Sequence, residues 1–425
     1  MAINDQAKTY KGFFKKTAPS LEFYDASAMF ITQFILQYVL QLILMILGFI
    51  IIADILGAQT TTTEGYKQVS ERFSLFTASS GGIVLITLLN ESTMILSPLA
   101  YWKVKSFNVF NGIGFKRKVN GAQIAMTFPI ALTLLVGFMP VASAFIALVN
   151  ATGYNYTGSE ITIESFPNLL LYLVFVAAIP AVCEEILHRG IIARAAKNYS
   201  YFIGIILSSV IFAFMHGSPQ QLVHQFFVGV VCSLVYYMSG SIWISALAHF
   251  FNNAITLVFG YVYYLVTGSS EMQLPWWVLL IMLIVGLCGL FFSLWGMYKI
   301  CYAKRKAEDK IFEESQSSAG DATAENDNAI QPNVVYVGKK KPLKVFNEKL
   351  SYLFTSPEQA KEEAEKRAQI ERQISEYGEE KKEVFRSLQK EDDVNLKKKN
   401  SRGVIFALVV VLAIWIINTI AGYAQ

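Results

Sequence analysis

Charge is scarce in this chain. Of its 425 residues only 16% are Asp, Glu, Lys or Arg and 54% are hydrophobic, where a soluble protein carries about a quarter charged residues. That balance, with apolar runs of about 20 residues recurring along the chain, excludes a soluble globular fold. Cysteine is equally sparse: Cys183, Cys232, Cys288 and Cys301 lie in or at the ends of apolar runs without CxxC spacing. A disulfide framework and a zinc ribbon are therefore not indicated, and the four read as small packing residues. No Ser or Cys sits in the Gly-framed turn of a nucleophile elbow. The net charge of +4 is carried by loops and one tail rather than by a continuous basic stripe, so no nucleic-acid partner is expected.

What is present is a series of apolar runs. Spans are expected at about Ala28–Gly57, Phe73–Tyr101, Ala122–Val149, Pro167–Lys197, Tyr201–His216, Gln221–Met238, Ile242–Val266 and Pro275–Tyr302, with a ninth at Gly403–Tyr423. The first begins after about 26 polar residues and is too long for a signal-peptide core, so it is read as a retained span. Lys103, Lys105, Lys116, Arg117 and Lys118 fill one loop, whereas the loop after the third span holds Glu160 and Glu164 and no base. By the positive-inside rule the first of these loops and the N-terminus are cytoplasmic.

Composition changes beyond Tyr302. Glu313–Asn333, rich in Ser, Ala, Asn and acid, reads as disordered. Ser356-Pro357-Glu358-Gln359 then opens a charged helix to about Lys390, with an N-cap, a proline in the first helical position and a capping-box Gln. This helix is expected to be a solvated spacer, with a cytoplasmic partner arm within 303–402 as the alternative. Lys397, Lys398, Lys399 and Arg402 fit a basic anchor at anionic headgroups before the last span.

Ionisable groups inside a span are costly to desolvate and point to function. Just after Pro180, whose missing N–H bends a helix, the fourth span carries Glu184, Glu185, His188 and Arg189. Glu185 and Arg189 lie one turn apart and can pair, while Glu184 points about 100° away towards something else. The same four-residue spacing puts His216 on a face with Phe212, and His249 on a face with Asn253. Counted from the turn near Asn198, Glu184 and His216 stand at comparable depth on antiparallel helices, with His249 roughly 10 Å shallower.

A carboxylate, two imidazoles and a carboxamide can hold and deprotonate a water and bind oxyanion charge, which is the equipment of a hydrolase. Glu184, His216 and His249 can equally ligate Zn²⁺ with a fourth position open for water. Four further residues receive lesser readings. His188 is taken as an interfacial imidazole that forms a rival metal pair with Glu184. His224 is placed at a cavity mouth, Glu91 is a neutral or hydrogen-bonded carboxyl midway along the second span, and Cys183 is inert packing.

The order Glu184-Glu185-Ile-Leu-His-Arg189, Phe212-Ala-Phe-Met-His216 and His249-Phe-Phe-Asn-Asn253 resembles the three-motif signature of the CPBP intramembrane metalloprotease family. That family includes the type II CAAX prenyl endopeptidases and proteins of bacteriocin processing and self-immunity. EExxxR, FxxxH and HxxxN are matched without substitution over about Pro167 to Phe259. The resemblance implies that Glu184 activates water, that His216, His249 and Asn253 hold the water or the oxyanion, and that Glu185 and Arg189 form a supporting salt bridge.

The chain is thus expected to be an all-α polytopic protein of the membrane, a bacterial plasma membrane by the resemblance. Residues 1–302 would form a core of about eight helices, with 167–259 as the protease-like region. Residues 303–402 would be a charged cytoplasmic linker and helix, and 403–425 a C-terminal anchor. The expected activity is hydrolysis of a membrane-associated peptide near the cytoplasmic face, the peptide being prenylated or leader-bearing. The alternative is a non-catalytic peptide-binding or self-immunity protein that uses the same pocket.

Overall fold

The computed structural model describes residues 21–57, 62–105, 108–154, 161, 163–269, 274–320, 342–376, 398–413, 415–417 and 419–420. Among these residues every regular element is helical. They are α1 (Phe23–Leu56), α2 (Thr63–Ala78), α3 (Ser80–Lys105), α4 (Gly121–Ala151), α5 (Phe166–Ala196), α6 (Tyr201–Met215), α7 (Pro219–Ser239), α8 (Ile242–Thr267), α9 (Trp276–Gly320), α10 (Pro342–Phe354), α11 (Pro357–Glu376) and α12 (Lys398–Ile417). Eight of them, α1, α3 to α5, α7 to α9 and α12, are long and apolar enough to cross a bilayer. The chain is an integral, multi-pass membrane protein.

Several expected boundaries move, each for a local reason. The run Phe73–Tyr101 is two helices: Ser79 takes an extended conformation, and its hydroxyl accepts from the Gly82 amide, so α2 stops and α3 starts. α6 is 15 residues long, about 22 Å at 1.5 Å per residue, and falls short of a hydrocarbon core of about 30 Å. It is therefore not the full span expected at Tyr201–His216. α9 continues to Gly320 rather than ending at Tyr302, with Lys304–Glu308 and Arg305–Asp309 pairs at four-residue spacing along its polar extension. That extension includes the first residues of the stretch read as disordered, and 321–333 lie outside the described residues.

The tail is less free than its charge suggests. The capping box at Ser356 is present, with Ser356 Oγ accepting from the Gln359 amide and Gln359 Oε1 from the Ser356 amide. Most described side chains of α11 are exposed, as a solvated spacer requires, and its expected extension to Lys390 lies outside the described residues. The preceding α10 was not anticipated. It buries Leu350 and Leu353 and sets the Phe354 ring 5.3 to 6.0 Å from those of Tyr201, Tyr236 and Tyr237. α12 is docked as well: Asn400 donates to Glu22 and accepts from the Tyr24 amide, and Trp415 meets Phe214.

Two apolar clusters meet on α5. One joins Ile186 and Ala193 to α4 and α6 to α10, and the other joins Leu187, Ile191, Ile192 and Ala195 to α1, α3, α6 and α12. Every residue from 184 to 196 is consequently buried. α4 and α9 pack so closely that a Cβ at Gly137 would stand 2.9 Å from the Gly286 carbonyl carbon. Small residues are what allow such backbone contact between membrane helices. Gly286→Val is expected to cost about 1–3 kcal/mol through overpacking and to lower the melting temperature in detergent. Gly260→Ala, whose Cβ would meet nothing within 4 Å, is expected to leave it unchanged.

Candidate active site

α5 is irregular where the chemistry lies. Leu173–Ala178 and Ile186–Ala193 are π-helical and flank the α-helical stretch Ile179–Glu185. Pro180 has no N–H to donate, and the wider turn before it accommodates the break that the sequence predicts as a bend. π-turns close on i→i+5 bonds and so hold more residues per turn, which rotates successive side chains and shortens the axial rise. Glu184, Glu185, His188 and Arg189 are all brought inside the bundle, none more than 7% exposed.

The Glu185–Arg189 pair forms as expected, with Nη1 2.7 Å from Oε1 and both side chains fully buried. Its surroundings satisfy most of it, with Arg189 Nε left without a hydrogen-bond partner. Arg189 Nη2 donates to the Gly229 carbonyl at 3.1 Å, and the guanidinium lies 4.6 Å from the centre of the Phe212 ring. Gly229 also lets α7 lie close against α6, since a Cβ there would stand 2.8 Å from Ser209 Cα. On the carboxylate side, the Ser245 hydroxyl is 2.5 Å from Oε2 and 2.9 Å from the Cys232 carbonyl. A hydroxyl has one proton, and the carboxylate is the stronger acceptor.

Glu185 also orients His249. Its Oε1 is 3.0 Å from His249 Nδ1, and because a carboxylate only accepts, Nδ1 carries the proton. His249 Nε2 then faces Glu184 Oε2 at 3.5 Å. The expected 10 Å offset of His249 is absent. The π-helical stretch between Glu185 and Arg194 covers less axial distance than an α-helix of equal length, and this brings the Glu pair towards the level of His249.

His216 caps α6, and its Nδ1 lies 2.9 Å from the Phe212 carbonyl, so this ring too is protonated at Nδ1 and keeps Nε2 as an acceptor. Phe212 is the wall between the groups, with its ring 4.9 Å from His216, 5.6 Å from His249 and 5.1 Å from His188. Asn253 lies one turn beyond His249, where its Oδ1 accepts from Asn252 Nδ2 at 3.2 Å. Asn252 in turn sits 3.5 Å from His224 Nε2, which joins His224 to the asparagine end of the cluster.

His188 is not interfacial. It is fully buried between Phe30 and Phe212, with Nε2 3.3 Å from Met215 Sδ, and so turns towards α1 and α6 rather than pairing with Glu184. Glu91 is buried on α3, and its Oε2 has no hydrogen-bond partner. Gly229, Ser245 and Asn252 escaped the sequence reading, and Cys232, read as packing, is buried beside the pair. Only Ser245 and Asn252 left a signal, a polar side chain one turn before His249 and one beside Asn253.

Among the described residues, Glu185, Cys232 and His249 form the His/Cys/Asp/Glu group whose ligand atoms all lie within 4.8 Å, close enough to hold a metal ion; Glu184, His216 and His249 do not form such a group. The donor chemistry at Glu185 argues against that use. Its oxygens already serve Arg189, Ser245 and His249 Nδ1–H, and a cation there would sit against a buried guanidinium.

In comparisons with known proteins, residues 166–255 match a family model described as type II CAAX prenyl endopeptidase Rce1-like. No curated protein and no solved structure matched. The matched segment runs from the start of α5 to the Asn252–Asn253 pair and so contains the whole cluster.

Glu185→Ala is expected to cost about 3–5 kcal/mol, because it leaves Arg189 buried without its counter-charge. The double variant Glu185→Ala/Arg189→Met is expected to recover part of the loss. Melting temperatures of the purified variants check this, and an unchanged value for the single variant would contradict the role assigned to the pair.

Proposed function

From the premise that, through residues 166–255, this chain belongs to the type II CAAX prenyl endopeptidase Rce1-like family, we propose that it is an intramembrane endopeptidase in which Glu184 activates water. One observation carries the reading. Glu184 Oε2 and His249 Nε2 face each other at 3.5 Å while His249 Nδ1–H is committed to Glu185. Two acceptors in that position are stable only with hydrogen between them, held by the Glu184 carboxyl or supplied by a water that donates to both.

In the proposed reaction Glu184 takes a proton from that water as its oxygen attacks the scissile carbonyl carbon, and later passes the proton to the leaving amine. His249 accepts the water's second hydrogen through Nε2 and so orients it, and His216 lines the site across the Phe212 ring. Asn253 presents its NH₂ to the developing oxyanion, since its Oδ1 is engaged by Asn252. Glu185 and Arg189 position His249, and Phe212 keeps the imidazoles apart in an apolar setting where such dipoles act strongly.

The substrate is a peptide or protein at the bilayer. We take 1–302 as the core, 303–402 as a linker that offers a surface to a partner, and 403–425 as a docked rather than free C-terminal span.

Glu184→Gln is expected to lower turnover by about 10²–10⁴-fold with little change in melting temperature. Asn253→Ala is expected to lower it by about 10²-fold, chiefly in kcat. Mass-spectrometric comparison of new peptide termini in cells expressing the wild type or Glu184→Gln at equal levels provides the check. If no terminus depends on Glu184, the endopeptidase reading fails.

A further inference from the structure

A cavity of about 940 Å³ lies apart from the Glu184–His249 cluster, at the end of the bundle that carries the basic loops. It is lined by the α3–α4 loop, the α7–α8 turn at Gly240, the polar extension of α9 and the junction of α10 with α11. The last two belong to the charged tail, for which the cluster has no use.

The charges of the cavity do not cancel. Lys116, Arg117 and Lys118 share it with two acids, Glu308 and Glu358. Both acids are already engaged. Glu308 pairs with Arg117 at 2.9 Å and with Lys304 at 3.1 Å. Glu358 folds back on the first turn of its own helix, where its own amide and the Ser356 hydroxyl hold its carboxyl below the ordinary range. Among the described residues Lys116 and Lys118 have no acidic partner, and both are exposed.

The loop that carries these bases is fixed from three sides. Arg194 donates to the carbonyls of Val109 and Asn111, Lys304 donates to that of Lys118, and a Cβ at Gly114 would stand 2.3 Å from the Gly240 oxygen. Gly112 and Gly114 take left-handed φ values of 81° and 91°. Alternation of such residues with ordinary ones gathers backbone N–H groups into a concavity that suits an anion. Trp102 and Trp243 give the depth of the loop: both are exposed, their rings stand 6.1 Å from Phe110 and 5.5 Å from Phe115, and Trp243 Nε1 donates to the Phe115 carbonyl at 3.2 Å. Exposed tryptophan at the end of an apolar helix marks the membrane–water interface, so the cavity lies at the depth of lipid phosphates.

We propose that this cavity binds the phosphate of an anionic phospholipid in the leaflet that the positive-inside rule makes cytoplasmic. Lys116 and Lys118 supply the unpaired charge and the loop amides supply further donors, while Phe115, Phe312 and Phe354 line the cavity against the glycerol end of the chains. A lipid held there bridges the α3–α4 loop to α9 and α11. It gives the tail a task that does not depend on the endopeptidase reading.

The test is a titration of the purified full chain in a nonionic detergent with dihexanoyl phosphatidylglycerol, dihexanoyl phosphatidylcholine or inorganic phosphate. Binding is read as the saturable rise in melting temperature that a ligand of the folded state produces. Phosphatidylglycerol is expected to give that rise. Lys116→Gln/Lys118→Gln is expected to move its midpoint about 25-fold higher, at about fivefold for each lysine near an anionic headgroup. The single variants, at about fivefold each, serve if the double variant does not fold. Lys103→Gln/Lys105→Gln removes equal charge from exposed positions outside the cavity and is expected to move the midpoint less than about twofold. An equal shift in both double variants leaves only diffuse attraction and overturns the proposal, as does an equal rise with phosphatidylcholine or no rise at all. A rise with inorganic phosphate that matches phosphatidylglycerol overturns the lipid assignment in favour of a soluble phosphate.

Discussion

The buried ion pair of Glu185 and Arg189 is the constraint on which the rest of this structure depends. Two charges removed from water are tolerated only when the geometry is good and the remaining hydrogen-bonding capacity is met. Here the Gly229 carbonyl, the Phe212 ring, the Ser245 hydroxyl and His249 Nδ1–H meet all of it but the Arg189 Nε–H, and they come from three other helices. The pair therefore ties α5 to α6, α7 and α8. It also sets the tautomer of His249, so a structural device determines which nitrogen faces Glu184.

Around that tie, α5 departs from α-helical geometry on both sides of the Glu pair. The wider turns let consecutive polar residues point into different parts of the bundle: Glu184 to His249 Nε2, Glu185 and Arg189 to the tie, His188 to Phe30 and Met215. A regular helix would put residues one turn apart on the same face, yet Glu184 and His188 diverge. Phe212 separates the three imidazoles nearest the tie, and the carbonyl of the same residue anchors His216.

α6, at 15 residues, is short beside its neighbours, and α9 and α10 extend the bundle at the end of the basic loops, where Phe354 covers tyrosines of α6 and α7.

How much was legible follows from the range of the interactions. Apolar runs report burial in lipid residue by residue, so the sequence by itself determined the all-helical multi-pass architecture and most spans, and four-residue spacing determined the Glu185–Arg189 pair. Motif order brought Glu184, His216, His249 and Asn253 together on paper. Tertiary structure alone decided which nitrogen of His249 faces Glu184, that Ser245, Gly229 and Cys232 surround the pair, and that His188 is core. Each of these depends on how far one helix slides or twists against another, and the π-turns of α5 alter that offset without leaving a periodicity in the sequence. Local pattern specifies what must be buried, while partners distant in the chain specify against what.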